Sequence, residues 1–271
     1  MRTSDKPDQI TASTRAQDGF VTLLLPVSRD FARSLDHLMT GPDPEGPHKS
    51  RVALRRMRTL LGAFKPILAR KTHHDLTARL RHSFQTIAAL RDADVLAELL
   101  DTPALHDAAA TQRHKTRKAL NRQGATRLAH DIAQTFSHKH WHRKGRRAQR
   151  HAPMTALAAA ALTRAWDAAC AHGSDLHLLA PQPQHDLRKS LKTLRYLAEF
   201  VAPLWPGPAQ AAFLATLRPL QDLLGQLNDA VMAAAHGLDH RPPAGTLDQA
   251  QALWSNLLAQ PRWWPQADSQ P

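Results

Sequence analysis

Cysteine occurs once, at Cys170, which excludes an internal disulfide and a thiolate zinc cluster. Glutamate occurs only at Glu45, Glu98 and Glu199, so no catalytic mechanism can rest on clustered glutamates. There is one tyrosine, aromatics make up 5% of the chain and β-branched runs are few, which argues against a sandwich or barrel of strands. No apolar run approaches the roughly 18 residues that cross a bilayer. The N-terminal MRTSDKPDQITASTRAQD is polar and lacks the apolar core of a signal peptide. These absences lead to the expectation of a cytoplasmic, Ala- and Leu-rich helical protein with no membrane partner.

What the chain has in excess is positive charge. Lys and Arg number 36 against 23 acidic residues, a net charge of +13, and 17 histidines add to it in mild acid. The pI is near 10.8. Such a balance calls for an anionic partner.

Residues 1–19 read as disordered. Helical patterns are expected over 20–39, 48–69, 73–100 and, long and basic, 103–140, the first of them closed by Gly41-Pro42-Asp43-Pro44-Glu45-Gly46-Pro47. A basic, flexible linker is expected over 143–153. Further helices are expected over 154–171, 184–201, 209–235 and 247–258, followed by a Trp- and Pro-rich tail at 261–271. The two halves are related by a shift of 137 positions. It places His48 on His185, Arg51 on Arg188, Leu54 on Leu191, Arg58 on Arg195, Arg81 on Arg218 and Asp92 on Asp229, and sets Arg55 against Lys192. The expected fold is all-α: two four-helix bundles related by a pseudo-twofold internal repeat, one over about 20–142 and the other over about 154–260.

On a helix, His48, Arg51, Arg55 and Arg58 share an arc of about 80°, opposite Leu54, Met57, Leu61 and Phe64. The later helix repeats this with His185, Arg188, Lys192 and Arg195 against Leu187, Leu191, Leu194 and Val201, while Arg56 and Lys189 widen the two basic faces. Four cations over ten residues span roughly 15 Å of axis, a better match to several consecutive phosphates than to one small anion. A solvated amphipathic face would account for one such stripe. It accounts poorly for two, because like charges at i,i+3 and i,i+4 cost an isolated helix a few tenths of a kcal/mol each.

The segments His48-Lys49-Ser50-Arg51-Val52-Ala53-Leu54-Arg55-Arg56-Met57-Arg58 and His185-Asp186-Leu187-Arg188-Lys189-Ser190-Leu191-Lys192-Thr193-Leu194-Arg195-Tyr196 resemble the two signatures of the CHAD family, the conserved-histidine α-helical domains. Leu90-Arg91-Asp92-Ala93-Asp94-Val95 and Leu220-Gln221-Asp222-Leu223-Leu224-Gly225-Gln226-Leu227-Asn228-Asp229-Ala230 resemble the motifs that follow each signature. The resemblance implies a CHAD domain over about 20–260, with a basic central groove that binds inorganic polyphosphate and recruits the protein to polyphosphate granules. It points to His48, Arg51, Arg55, Arg56, Arg58, Arg81, Arg91, His185, Arg188, Lys189, Lys192, Arg195 and Arg218 as the binding residues. Asp92 and Asp229 would each orient a cation by a buried salt bridge, or serve the fold alone. Ser50 departs from the family pattern, which has a hydrophobic residue there.

Two other classes remain open. The span Arg113–Arg150 holds 12 Lys or Arg residues and one acid, Asp131, and suits a second polyanion such as DNA or RNA, or a merely solvated helix. No base-reading motif is present, and the stripes lack interleaved aromatics for stacking. A phosphohydrolase or phosphotransferase using His48 or His185 as nucleophile would need paired acids or a phosphate-binding glycine loop, and neither is found. His138, His140 and His142 are a weak metal tract, since helical spacing scatters them. The expectation is therefore a binding protein, not an enzyme, with no cofactor or metal.

Overall fold

The computed structural model describes residues 10–266 except His236, Leu238 and the side chain of Lys139. Among the described residues it contains ten α-helices and no strand: α1 (Ala16–Thr40), α2 (Glu45–Ala63), α3 (Arg70–Leu100), α4 (Pro103–Arg122), α5 (Leu128–Ser137), α6 (Arg147–His151), α7 (Thr155–Cys170), α8 (Pro181–Val201), α9 (Pro208–Ala235) and α10 (Thr246–Ala259). The fold is all-α, as expected. The helices divide into two compact units. The first is residues 15–152; among the described residues the second is 153–266 together with 10–14. No described helix is long and apolar enough to cross a membrane.

In the first unit α1 packs on α2, α2 on α3 and α3 on α4. Asp43 in the α1–α2 turn accepts a hydrogen bond from the Glu45 amide at 2.7 Å, satisfying the first amide of α2. Gly46 marks where α1 and α2 touch, because a Cβ there would lie 2.7 Å from the Leu38 backbone nitrogen. On the same contact Ser50 is fully buried and donates its hydroxyl to Ser34 at 3.1 Å, so the departure from a hydrophobic residue is absorbed by a hydroxyl pair. Leu54, Met57, Leu61 and Phe64 are all buried, each such side chain stabilising the fold by about 1.5–3 kcal/mol. Phe20 packs on Phe64, Phe136 and Trp141 with ring centroids 5.1–5.7 Å apart.

Several boundaries differ from expectation. α1 begins at Ala16, and both Ala16 and Ile10 are buried, so disorder does not extend through residues 10–19; residues 1–9 lie outside the described residues. α2 ends at Ala63, because Pro66 has no N–H to continue the α-helical ladder, and the chain tightens into a 3-10 turn over Lys65–Ile67. The long fourth helix is broken at Gly124, whose φ of +66° ends α4 before α5 begins. The expected linker contains α6 and is tied down: the Arg143 amide donates to Ile67 O at 2.9 Å, and Ala152 O accepts from the Ala16 amide at 2.9 Å.

In the second unit α7 packs on α8, α8 on α9 and α9 on α10. Trp254 is fully buried, and its indole N–H donates to Gly173 O at 3.0 Å. Trp264 is buried too, donating to the Thr163 hydroxyl at 3.0 Å and meeting Phe213 edge-on at 5.8 Å. Trp264 thus belongs to the core although Pro261 and Arg262 of the same tail are exposed, and residues 267–271 lie outside the described residues.

Candidate anion-binding faces

On α2, burial of Leu54, Met57 and Leu61 turns the opposite stripe outward. His48 and Arg58 are exposed, and Arg51, Arg55 and Arg56 are half-buried. Phe84 of α3 lies beneath three of these cations. The guanidinium carbons of Arg51, Arg55 and Arg58 stand 4.9, 5.3 and 5.6 Å from its ring centroid. This corrects the expectation of stripes without aromatic platforms. A guanidinium meets a ring by its face and hydrogen-bonds through its in-plane N–H groups. Asp92 of α3 stands 3.5 Å from Arg51; with its side chain 55% exposed, the pair is a surface one rather than the buried bridge expected.

Arg81 of α3 is exposed beside Arg58. Burial, and then the charge of Arg81, lower the Arg58 pKa from its ordinary value, though not enough to discharge a guanidinium. Arg91 is turned to an acid on its own helix, donating to Glu98 at 3.1 Å. His48 lies in the first turns of α2, but its backbone N–H is already bound to Pro44 O at 3.2 Å, so that amide is not one of the open donors of a helix N-terminus.

The second unit builds a related face on α8 and α9. The Nδ1–H of His185 donates to the Asn228 side-chain oxygen at 2.5 Å, which leaves Nε2 to become a second donor only in the imidazolium. Arg188 lies against Gly225, where a Cβ would come within 3.8 Å of its Nη2. Desolvation lowers its pKa, with Asp229 and then Tyr196 opposing the shift; Asp229 acts on Arg188 through its charge, without the buried salt bridge expected of it. Lys189 pairs with Asp186 at 2.5 Å, and hydrogen bonds from Lys189 and Gln182 hold the Asp186 carboxyl below its usual range. Lys192 is half-buried on the same helix. Arg195 lies 5.1 Å from the Tyr196 ring, and Glu199 stands 3.8 Å from both Arg195 and Arg218.

The expected site residues thus fall on two faces: His48, Arg51, Arg55, Arg56, Arg58 and Arg81 on one unit, and His185, Arg188, Lys189, Lys192, Arg195 and Arg218 on the other. Arg91 is engaged with Glu98. Phe84, Asn228 and the bridging position of Glu199 were not anticipated. Phe84 falls four residues after Leu80 and three before Ile87, a spacing that reads as ordinary core.

A profile of the CHAD domain matches residues 26–237. This chain belongs to the CHAD domain family. The CHAD fold is seen also in its likeness to the crystal structure of the CHAD domain from the plant Ricinus communis, at 21% identity and a TM-score of 0.69, covering 96% of this chain and 91% of that one. PptA from Streptomyces chartreusis is similar at 19% identity and a TM-score of 0.51, covering 90% of this chain and 94% of the other. No curated protein matches the chain.

The basic span Arg113–Arg150 of this CHAD protein is partly structural. Arg113 is buried, donating to Asp94 at 3.0 Å and to Asp43 O at 3.3 Å. Arg117 donates to Leu38 O at 2.8 Å and to Gly41 O at 2.5 Å, so α4 clasps the α1–α2 turn. Asp131 takes the guanidinium of Arg79 at 2.5 Å. No group of three or more His, Cys, Asp or Glu side chains is placed to hold a metal among the described residues.

Proposed function

We propose that this CHAD protein binds inorganic polyphosphate through the basic faces of α2–α3 and α8–α9, and that this binding directs it to polyphosphate granules. One observation carries the reading: each face sets a His, two Arg or an Arg and a Lys, and a further Arg along about 15 Å of one helix, with an Arg of the next helix beside them. A polymer with about one charge per phosphate and no bases needs that pattern of donors and nothing that reads an edge. Guanidinium groups supply bidentate in-plane donors, and Lys192 supplies a mobile point charge. Phe84 and Asp92 hold guanidinium groups in place before the ligand arrives, which lowers the ordering cost of binding. Affinity comes from many weak contacts on one polymer and grows with its length. The protein holds the polymer rather than cleaving it, a reading supported by three isolated glutamates and the lack of a phosphate-cradling glycine loop.

The second reading is a non-specific nucleic-acid binder, favoured by the exposed cations that remain between residues 114 and 150. A competition titration near physiological salt separates the two. Labelled long-chain polyphosphate is displaced by unlabelled polyphosphate, duplex DNA or single-stranded RNA at matched phosphate concentration. Polyphosphate alone should compete well, and replacing Arg51, Arg55, Arg188 and Lys192 with alanine should weaken it at least about a hundredfold with helicity intact. Equal competition by DNA or RNA would move the nucleic-acid reading to first place.

A further inference from the structure

The two faces differ at one corner. In the second unit Glu199, one helical turn beyond Arg195, places one carboxylate oxygen 3.8 Å from Arg195 of its own helix and 3.8 Å from Arg218 of α9. In the first unit the cations 137 positions earlier are Arg58 and Arg81, and the position of the acid is taken by Gly62. Neither Arg58 nor Arg81 forms an ion pair with a carboxylate among the described residues, and both are exposed. Around Gly62 an added Cβ would meet nothing within 4 Å, so the space a carboxylate would use is open.

Accepting polyphosphate as the ligand, we propose that the Arg58–Arg81 corner is the dominant phosphate anchor of this protein, and that Glu199 is an internal counter-ion occupying the equivalent anchor of the second unit. A carboxylate held between two guanidiniums offers the charge and the oxygen that a phosphate would offer. The polymer must displace Glu199, or share the two arginines with it, before it gains the same contacts there. At Arg58 and Arg81 no such competitor stands. The two cations repel each other in the unbound protein, as the lowered Arg58 pKa also reflects, and an incoming anion relieves that repulsion. Glu199 therefore sets how strongly, and at what salt concentration, the second face engages the polymer.

The test is the affinity of the full chain for long-chain sodium polyphosphate over a series of salt concentrations, with helicity followed by circular dichroism. Gly62→Glu should weaken binding about tenfold, whereas Gly62→Gln, similar in shape and uncharged, should leave it within about twofold. Glu199→Gln should strengthen binding several-fold and steepen the dependence of log affinity on log salt by about one. The pair Arg58→Ala with Arg81→Ala should cost more affinity than the pair Arg195→Ala with Arg218→Ala, and the two costs should become equal when Glu199→Gln is added to both. Equal losses from the two pairs while Glu199 is unaltered, or no gain from Glu199→Gln, would overturn the inference while leaving polyphosphate binding in place. No binding by the unaltered protein would overturn the functional reading itself.

Discussion

The fourth principal helix of each unit meets its neighbours by different chemistry. In the first unit α4 uses charge: Arg113 is buried against Asp94 of α3, and Arg117 binds the carbonyls of Leu38 and Gly41 at the end of α1. In the second, the residues 137 positions later are Ala250 and Trp254, both fully buried. Trp254 packs on Trp166 at 6.1 Å, and its indole donates to Gly173 O, a carbonyl just beyond α7. One N–H to a carbonyl just after the unit's first helix does in the second unit what a two-armed guanidinium does in the first. The binding faces diverge in a similar way. Phe84 supports three arginines in the first unit, while 137 positions on Gln221 is buried and donates to Leu191 O at 2.6 Å. The contrast shows that a similar order of packed helices does not dictate how a helix is held or how a cation is presented.

The largest effect that would sharpen this contrast is on stability. Arg113→Ala should cost about 3–5 kcal/mol at neutral pH, because it leaves the Asp94 carboxylate buried without its partner. Trp254→Ala should cost a similar amount, about 3–5 kcal/mol, through lost packing. Denaturant unfolding at several pH values separates them. The Arg113 cost should shrink toward low pH as Asp94 takes up a proton, and the Trp254 cost should not. Equal pH profiles would break the distinction between a charge-held and an aromatic-held helix.

A smaller effect falls on binding. Phe84→Leu keeps the apolar bulk but removes the ring face under Arg51, Arg55 and Arg58, and polyphosphate affinity should fall about fivefold with the unfolding midpoint nearly unchanged. An unchanged affinity would show that the ring is packing alone.

The smallest effect concerns Asp94. Burial raises its pKa above the ordinary 3.8, with Arg113 opposing the shift. The folded chain therefore holds this proton at pH values where the unfolded chain has lost it. The contribution of Asp94 to stability should rise as pH falls from the raised value toward 3.8, and be flat above it. The stability difference between the unaltered protein and Asp94→Asn should follow that drift; a difference independent of pH would refute it.

Much of the architecture was legible in the residues. The apolar spacing of Leu54, Met57 and Leu61, and of Leu187, Leu191 and Leu194, placed α2 and α8 and turned their cations outward, since burial of one stripe leaves the other in water. Helix ends were read less well. Gly124 and Pro66 were visible as residues, yet whether a glycine breaks a helix depends on what its neighbours pack against. Ile10, Ala16 and Trp264 sit in segments whose polar or proline-rich neighbours concealed that they are core.

The family, the all-α fold and the two basic stripes follow from the sequence alone, because helical periodicity and local charge are properties of near neighbours along the chain. Tertiary structure alone decided which cations are spoken for. Arg91 meets Glu98 and Arg113 meets Asp94, Arg218 shares Glu199 with Arg195, and Phe84 gathers three arginines on one ring. Those pairings depend on the rotation and spacing of one helix against the next. Packing of the whole core sets these, and no local pattern encodes them.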